Sequence, residues 1–185
     1  MVITDFLERN AREFPNDIAL VEINPEIKED RRVTWKEFEL IEPNPKTSYR
    51  REITWGVFNE KANRFANLLL QRGVKKGDKV AILMMNGLEW LPIYFGILKT
   101  GALAVPLNFR YSAEEIEYCV NLAEVDILVF SNAFIGRVEE IADRISKGRL
   151  LIYVGEGCPG FADDYNSLSA NCSSQSPMVA LTDED

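Results

Sequence analysis

The stretch from Gly77 to Asn108, GDKVAILMMNGLEWLPIYFGILKTGALAVPLN, constrains the fold more than any other part of the chain. Residues 80–84 are an unbroken apolar run of strand-forming composition, as expected of a strand buried on both faces. Asn86-Gly87 marks a loop, and residues 88–100 then carry an apolar stripe. Leu91, Tyr94, Phe95 and Leu98 recur at helical spacing, and Gly101 sits where a left-handed C-terminal cap belongs. Residues 102–105 are a second short apolar run, stopped by Pro106. Two strands joined by one helix of that length pair in parallel, through a right-handed crossover. The unit is the core of an α/β layer.

The flanking sequence repeats the same alternation. Thr4 or Asp5 can cap a first helix whose apolar face is Phe6, Leu7, Ala11 and Phe14, with Glu8 in its acidic first turn and Pro15 as its stop. Residues 18–23 read as a strand. Residues 24–52 are polar and Pro-containing, and Arg31-Arg32-Val33-Thr34-Trp35 with Phe38 echoes Arg50-Arg51-Glu52-Ile53-Thr54-Trp55 with Phe58. The first copy reads as a strand in a hairpin insertion, either a decorated edge or a lid or docking arm; the second leads into a helix. Thr54 caps that helix, residues 55–72, whose stripe is Phe58, Ala62, Phe65, Ala66, Leu69 and Leu70. Ser112 and Glu115 form a capping box for residues 113–122. Residues 126–130 are a buried strand, and Phe134, Val138, Ile141, Ala142 and Ile145 mark an amphipathic helix before a strand at 150–154. The expected fold is α/β: a three-layer subdomain with a predominantly parallel sheet, helices on both faces and an N-terminal hairpin insertion. Residues 155–185 read as a connector with one short helix at 161–168 and no βαβ return strand.

Bulk properties exclude several classes of function. A chain of 185 residues with 46% hydrophobic content forms one domain or large subdomain with a real core. Its net charge of −8 argues against nucleic acid, whose phosphates need Lys and Arg. There is no histidine, so no imidazole base or ligand comes from this chain. Cys119, Cys158 and Cys172 are odd in number and widely spaced, which indicates neither a zinc site nor a disulfide framework; Cys119 reads as a small core residue. No metal site is expected. MVITDFLERN lacks the blocks of a signal peptide, and no apolar run approaches the ~18 residues of a membrane span. A reduced, cytoplasmic setting is expected.

The candidate chemistry lies at strand ends. Gly155-Glu156-Gly157-Cys158-Pro159-Gly160 is a literal G-x-G-x-x-G, but Pro159 stiffens it and no long helix opens from it to face a pyrophosphate, so it reads as chance. Asn86 follows a central strand at its carboxyl end, where open parallel sheets place ligands. It can hydrogen-bond a ligand or cap the helix starting at Leu88. Asn108 and Arg110 leave the next strand at the same edge. Arg110 can hold a phosphate or carboxylate bidentately, or serve a solvated or structural salt bridge. Among the adjacent acid pairs none resembles a catalytic dyad.

The run Gly77-Asp78-Lys79-Val80-Ala81-Ile82, Asn86 to Trp90, Ile97-Leu98-Lys99-Thr100-Gly101-Ala102 and Val105-Pro106-Leu107-Asn108 resembles the N-terminal region of the AMP-forming acyl- and aryl-CoA ligases. The resemblance covers about residues 6–130, and Asn108-Phe109-Arg110-Tyr111-Ser112-Ala113-Glu114-Glu115 is closest to the fatty-acyl-CoA ligases. It implies an intact enzyme that uses ATP, Mg2+ and CoA to turn a fatty or related carboxylic acid into an acyl-adenylate and then an acyl-CoA. The family's S-G-T-T-G-x-P-K loop is absent from the sequence; in the family it begins shortly after a segment like Leu181-Thr182-Asp183-Glu184-Asp185. The resemblance therefore implies the front portion of such a ligase, with no catalytic residue and no cofactor bound of its own. The competing expectation is a stand-alone α/β binding or interaction module. Finally, Glu89 is the only charge in the apolar helix 88–98, which predicts packing against a missing part or self-association.

Overall fold

The structure, a computed structural model, describes residues 2–23, 33–34, 37–38, 50–145 and 148–182. Helix α1 (Ile3–Glu13) leads into strand β1 (Ile18–Ile23), which pairs antiparallel with β4 (Arg50–Thr54). Between them lies a two-residue antiparallel pair, β2 (Val33–Thr34) with β3 (Glu37–Phe38). Helix α2 (Trp55–Gln71) follows β4 directly, with the Thr54 side chain accepting from the Val57 N–H at 3.3 Å. The alternating part comprises β5 (Lys79–Leu83), α3 (Trp90–Leu98), β6 (Leu103–Pro106), α4 (Ala113–Leu122), β7 (Ile127–Ser131), α5 (Ile135–Ile145) and β8 (Leu150–Val154). Strand β9 (Asp163–Asp164) and helix α6 (Tyr165–Ala170) complete it.

Strands β6-β5-β7-β8-β9 form one sheet in that order, and every pairing in it is parallel. The expected three-layer α/β arrangement is what the structure has. Alternation along each strand sorts the core into two halves. Val80, Ile82 and Met84 with Ile127, Val129, Ile152 and Val154 face α2, α3 and α6. Ala81, Leu83, Leu128, Phe130, Leu151 and Tyr153 face Ile116 and Val120 of α4 and Val138, Ile141 and Ile145 of α5. The strands look uniformly apolar because both sides need apolar cover. A smaller cluster of Leu7, Phe58 and Ala62, with Leu20, Ile53 and Phe95 against it, joins the β1–β4 hairpin to the body.

Several local expectations are corrected. The first helix starts at Ile3, and the Asp5 carboxylate reaches back to accept from the Val2 N–H at 3.0 Å. Of its expected apolar face Leu7 is buried, whereas Phe6 and Phe14 are exposed. A two-residue strand, β9, follows β8 and pairs with it in parallel through a helix-free connection, so it is not a βαβ return, and the short helix lies at Tyr165–Ala170 and not at 161–168. Cys119 is half-buried. The box at Ser112 is present, with Ser112 N–H donating to Glu115 at 2.8 Å and Glu115 N–H to Ser112 Oγ at 3.3 Å.

Helix α3 is short and apolar because it is wedged between the sheet and α2. Pro92, Ile93, Gly96 and Ile97 are buried, while Trp90, Leu91, Tyr94, Phe95 and Leu98 are half-buried. Phe95 meets Phe58 edge-on at 5.3 Å, and Glu89 pairs with Lys61 at 2.7 Å. Gly96 permits the approach: a Cβ there would lie 2.9 Å from both the Ala62 carbonyl oxygen and Phe65 Cδ1. Gly96→Val is therefore expected to overpack the α2–α3 contact and cost about 1–3 kcal/mol. Chemical denaturation checks this: the midpoint should fall with an unchanged m-value, and an unchanged midpoint would refute it.

Candidate functional site

Parallel pairing puts the loops after β5, β6, β7 and β8 along one edge of the sheet. Asn86 lies in the loop after β5 and is exposed; Asn108 and Arg110 lie in the loop after β6 and are exposed. The Leu107 N–H donates to the Ile82 carbonyl at 2.9 Å, tying the second loop to β5. Asn108 Oδ1 accepts from the Arg110 N–H at 2.9 Å, so its side chain shapes the turn. The Arg110 guanidinium lies over its neighbour Phe109, 5.4 Å from the ring centroid, and makes no ion pair with any described residue. Arg137, on α5, donates to the carbonyls of Phe109 at 2.8 Å and Tyr111 at 3.0 Å and so braces the turn from below.

Asn86 does not cap the helix. The chain makes a further turn, with the Trp90 N–H donating to the Gly87 carbonyl at 3.2 Å, before α3 begins at Trp90. The acceptor for the Leu88 N–H is Glu22 of β1, at 3.0 Å, and that carboxylate also takes Arg51 through two contacts of 2.9 and 2.8 Å. Around this junction is a groove of about 450 Å³, lined chiefly by Leu20, Ile23, Asn86, Leu88, Trp90 and Leu91. Asn86 opens into it; Asn108 and Arg110 do not, so the three candidates share an edge and not a cavity. Glu22 escaped the sequence reading, although a lone acid within the apolar run 18–23 was a signal. Arg137 carried none.

The Gly155–Gly160 loop is folded back on the sheet: the Tyr153 hydroxyl donates to the Glu156 carbonyl at 2.8 Å, and a Cβ at Gly155 would meet that hydroxyl at 2.7 Å. Its φ of +149° is a second reason for glycine there. Burial pushes the Cys158 thiol up, helped by Asp164 and Asp163, and burial also raises Cys172, so neither is an activated nucleophile. Among the described residues no group of three or more Asp, Glu and Cys comes together as a metal site, and no helix is long and apolar enough to cross a membrane.

A second charged centre lies at the other end of α3. Lys99, 2% exposed, donates to Glu8 at 2.6 Å, and the Ser176 hydroxyl reaches the same carboxylate. Burial alone would raise the Glu8 carboxyl, but the hydrogen bonds from Lys99 and Ser176 outweigh it and hold it below the ordinary carboxylate value. For Lys99 burial dominates and pulls the ammonium down, against the pull of Glu8.

Comparison with known proteins matches this architecture to one family. The family model for AMP-binding enzyme matches residues 43–183. The medium/long-chain-fatty-acid–CoA/3-oxocholest-4-en-26-oate–CoA ligase of Mycolicibacterium smegmatis is 36% identical over 110 residues, 60% of this chain and 19% of that protein. The anthranilate–CoA ligase AuaEII, solved in complex with anthranoyl-AMP, superposes with a TM-score of 0.74 at 25% identity, covering 93% of this chain and 28% of that one. The N-terminal domain of FACL13 from Mycobacterium tuberculosis covers 98% of this chain and 39% of its own, with a TM-score of 0.68 at 24% identity. The chain belongs to the AMP-binding enzyme family, and what it is similar to is the N-terminal region of an AMP-forming acyl-CoA synthetase. It spans about a fifth of the length of the curated relatives it matches.

Two outcomes are expected from the charged centres. Glu22→Ala should cost about 1–2 kcal/mol, because a charge-assisted acceptor for Arg51 and the Leu88 N–H is lost, whereas Asn86→Ala should leave the unfolding midpoint unchanged. Equal effects from the two would contradict this assignment of the cap. For Glu8, a lowered folded pKa means stability present above the ordinary value of 4.5 and lost as pH falls through the folded value. Glu8→Gln should therefore flatten the acid limb of the stability–pH curve; an unaltered limb would show that the pair contributes nothing.

Proposed function

We propose that residues 1–185 form the N-terminal subdomain of an acid–CoA ligase that activates a fatty or related carboxylic acid with ATP to an acyl-adenylate and passes the acyl group to CoA. The observation that carries the reading is the family match over residues 43–183, together with relatives whose names are acid–CoA ligases. In this reading the insertion expected over 24–52 lies outside the described residues except at 33–34, 37–38 and 50–52, the last of which belong to β4; 155–185 leads towards the catalytic part, and the enzyme is cytoplasmic. The half-buried side of α3 packs against that part or against a second copy.

ATP, Mg2+ and CoA are the co-substrates and metal of the intact enzyme. The described residues do not fit the nucleotide and its metal by themselves: no group of three or more acids or cysteines among them could hold the metal, and the glycine-rich loop after β8 is tied down by the Tyr153 hydroxyl and opens no long helix towards a phosphate. No catalytic step is assigned to this chain. Asn86, Asn108 and Arg110 are proposed as its contribution on the substrate side. Arg110 is the group suited to an anionic substrate, since a guanidinium meets carboxylate or phosphate through two parallel hydrogen bonds. The competing reading, a stand-alone interaction module, is favoured by one observation: the sheet is already covered on both faces by its own helices.

The two are separated by measurements on the 185-residue chain and its gene. No acid-dependent ATP–pyrophosphate exchange is expected from the chain alone, and calorimetry with Mg-ATP should detect no tight binding. A dissociation constant near 1 μM, about −8 kcal/mol, would reveal a nucleotide site and overturn the proposed division of labour. An S-G-T-T-G-x-P-K sequence within a few tens of codons after Asp185 supports the ligase; a stop codon there supports the module.

A further inference from the structure

Helix α2 turns a polar face, buried at Asn63 and half-buried at Arg64 and Asn67, towards the end of α6 and the chain after it. Asn63 is 3% exposed, and its amide donates to the Ser174 carbonyl at 2.8 Å. Arg64 donates to the carbonyls of Ala170 at 3.1 Å and Cys172 at 2.6 Å. Asn67 donates to those of Ser173 at 2.8 Å and Gln175 at 2.9 Å. Three side chains within five residues of one helix thus take five backbone carbonyls, one at the last residue of α6 and four in the segment that follows it. All five acceptors are main-chain atoms, so the contact fixes the path of the segment and is indifferent to its side chains. Cys172 is buried beneath it, Ser176 is held by the Glu8–Lys99 pair, and Leu181 arrives against Gly101. Gly101 stands two residues before β6, which pairs only with β5 among the described strands and so presents an open edge. The strap therefore carries the chain along α2 and delivers it at the amino end of the open edge strand.

We propose that Asn63, Arg64 and Asn67 are positioning residues: by clamping residues 170–175 they set where the chain beyond Leu181 meets the sheet, and hence where the nucleotide-binding segment of the ligase sits. This rests on the function proposed above. A polar face of this kind costs side-chain and backbone entropy that a solvated connector would not, and a fixed path is what that ordering produces. Geometry set remotely matters because a displacement of about 1 Å can cost a hundredfold in rate.

The test uses the full-length protein. Asn67→Ala removes two of the five contacts and leaves Asn63, Arg64 and the core in place; Asn67→Gln is the conservative variant. Hydrogen exchange should show the amides of Cys172 and Gln175, which donate to the Ser169 carbonyl and Ser173 Oγ, losing protection in Asn67→Ala. The KM for Mg-ATP should rise about tenfold in ATP–pyrophosphate exchange with the KM for the acid unchanged, and Asn67→Gln should restore much of it. A second variant, two glycines inserted after Pro177, keeps every clamp contact but lengthens the path to Leu181; it should raise the KM for Mg-ATP equally, even if Asn67→Ala does not fold. A released strap, or a lengthened one, with an unmoved KM for Mg-ATP overturns the proposal and leaves the ligase reading standing. A wild-type full-length protein inactive with every acid tried removes that reading, and this proposal with it.

Discussion

The rest of the structure depends on β5 being apolar on both faces. Val80 and Ile82 point one way, Ala81 and Leu83 the other, and all four are at most 1% exposed. A strand in that position has no solvent side, so the chain must supply helices above and below it. It does so with α2 and α3, joined later by α6, for one face and α4 and α5 for the other. Parallel pairing then puts every connecting loop after a strand at one edge. The edge that carries Asn86, Asn108 and Arg110 is a consequence of how β5 is buried.

The first of those helices has a second duty. One side of α2 presents Phe65, Leu68 and Leu69 to the sheet, and another takes α3 at the close approach of Gly96. A third side holds the strap through Asn63, Arg64 and Asn67. Such a helix cannot be displaced without moving α3, the strap and the Glu8–Lys99 pair together. Arg149 does comparable work below: its guanidinium donates to the Val125, Ile145 and Val120 carbonyls and gathers the C-terminal ends of α4 and α5.

What could be read from the sequence was what is local. The buried strands showed as apolar runs, and the caps at Thr54 and Ser112 and the stop at Gly101 as residue types within one turn of the ends they control. The strand-end position of Asn86, Asn108 and Arg110 followed from topology alone. What failed was long-range. Asn86 looked like a cap because it stands before α3, but Glu22, 66 residues earlier, takes the Leu88 N–H. Glu8 read as an acidic first turn, yet its partner is Lys99, 91 residues later. Asn63, Arg64 and Asn67 carried no signal, because polar residues that bind backbone carbonyls have the same composition as those that bind water. Strand β9 is two residues long and had no period to detect.

The charge of the chain runs against the function proposed for it, since ATP, CoA and a carboxylic acid are all anionic and the net charge is −8. Screening removes most of that conflict: at physiological salt exposed charges are felt over roughly 8 Å, so a substrate at one edge responds to its immediate neighbours. The loop after β6 has two arginines near it, and they are not equivalent. Arg137 is committed to the Phe109 and Tyr111 carbonyls, and its charge serves to hold the turn. Arg110 stands on that turn with only the Phe109 ring beneath its guanidinium. One arginine builds the platform and the other is presented on it, and under the proposed function it is the presented one that an anionic substrate would meet.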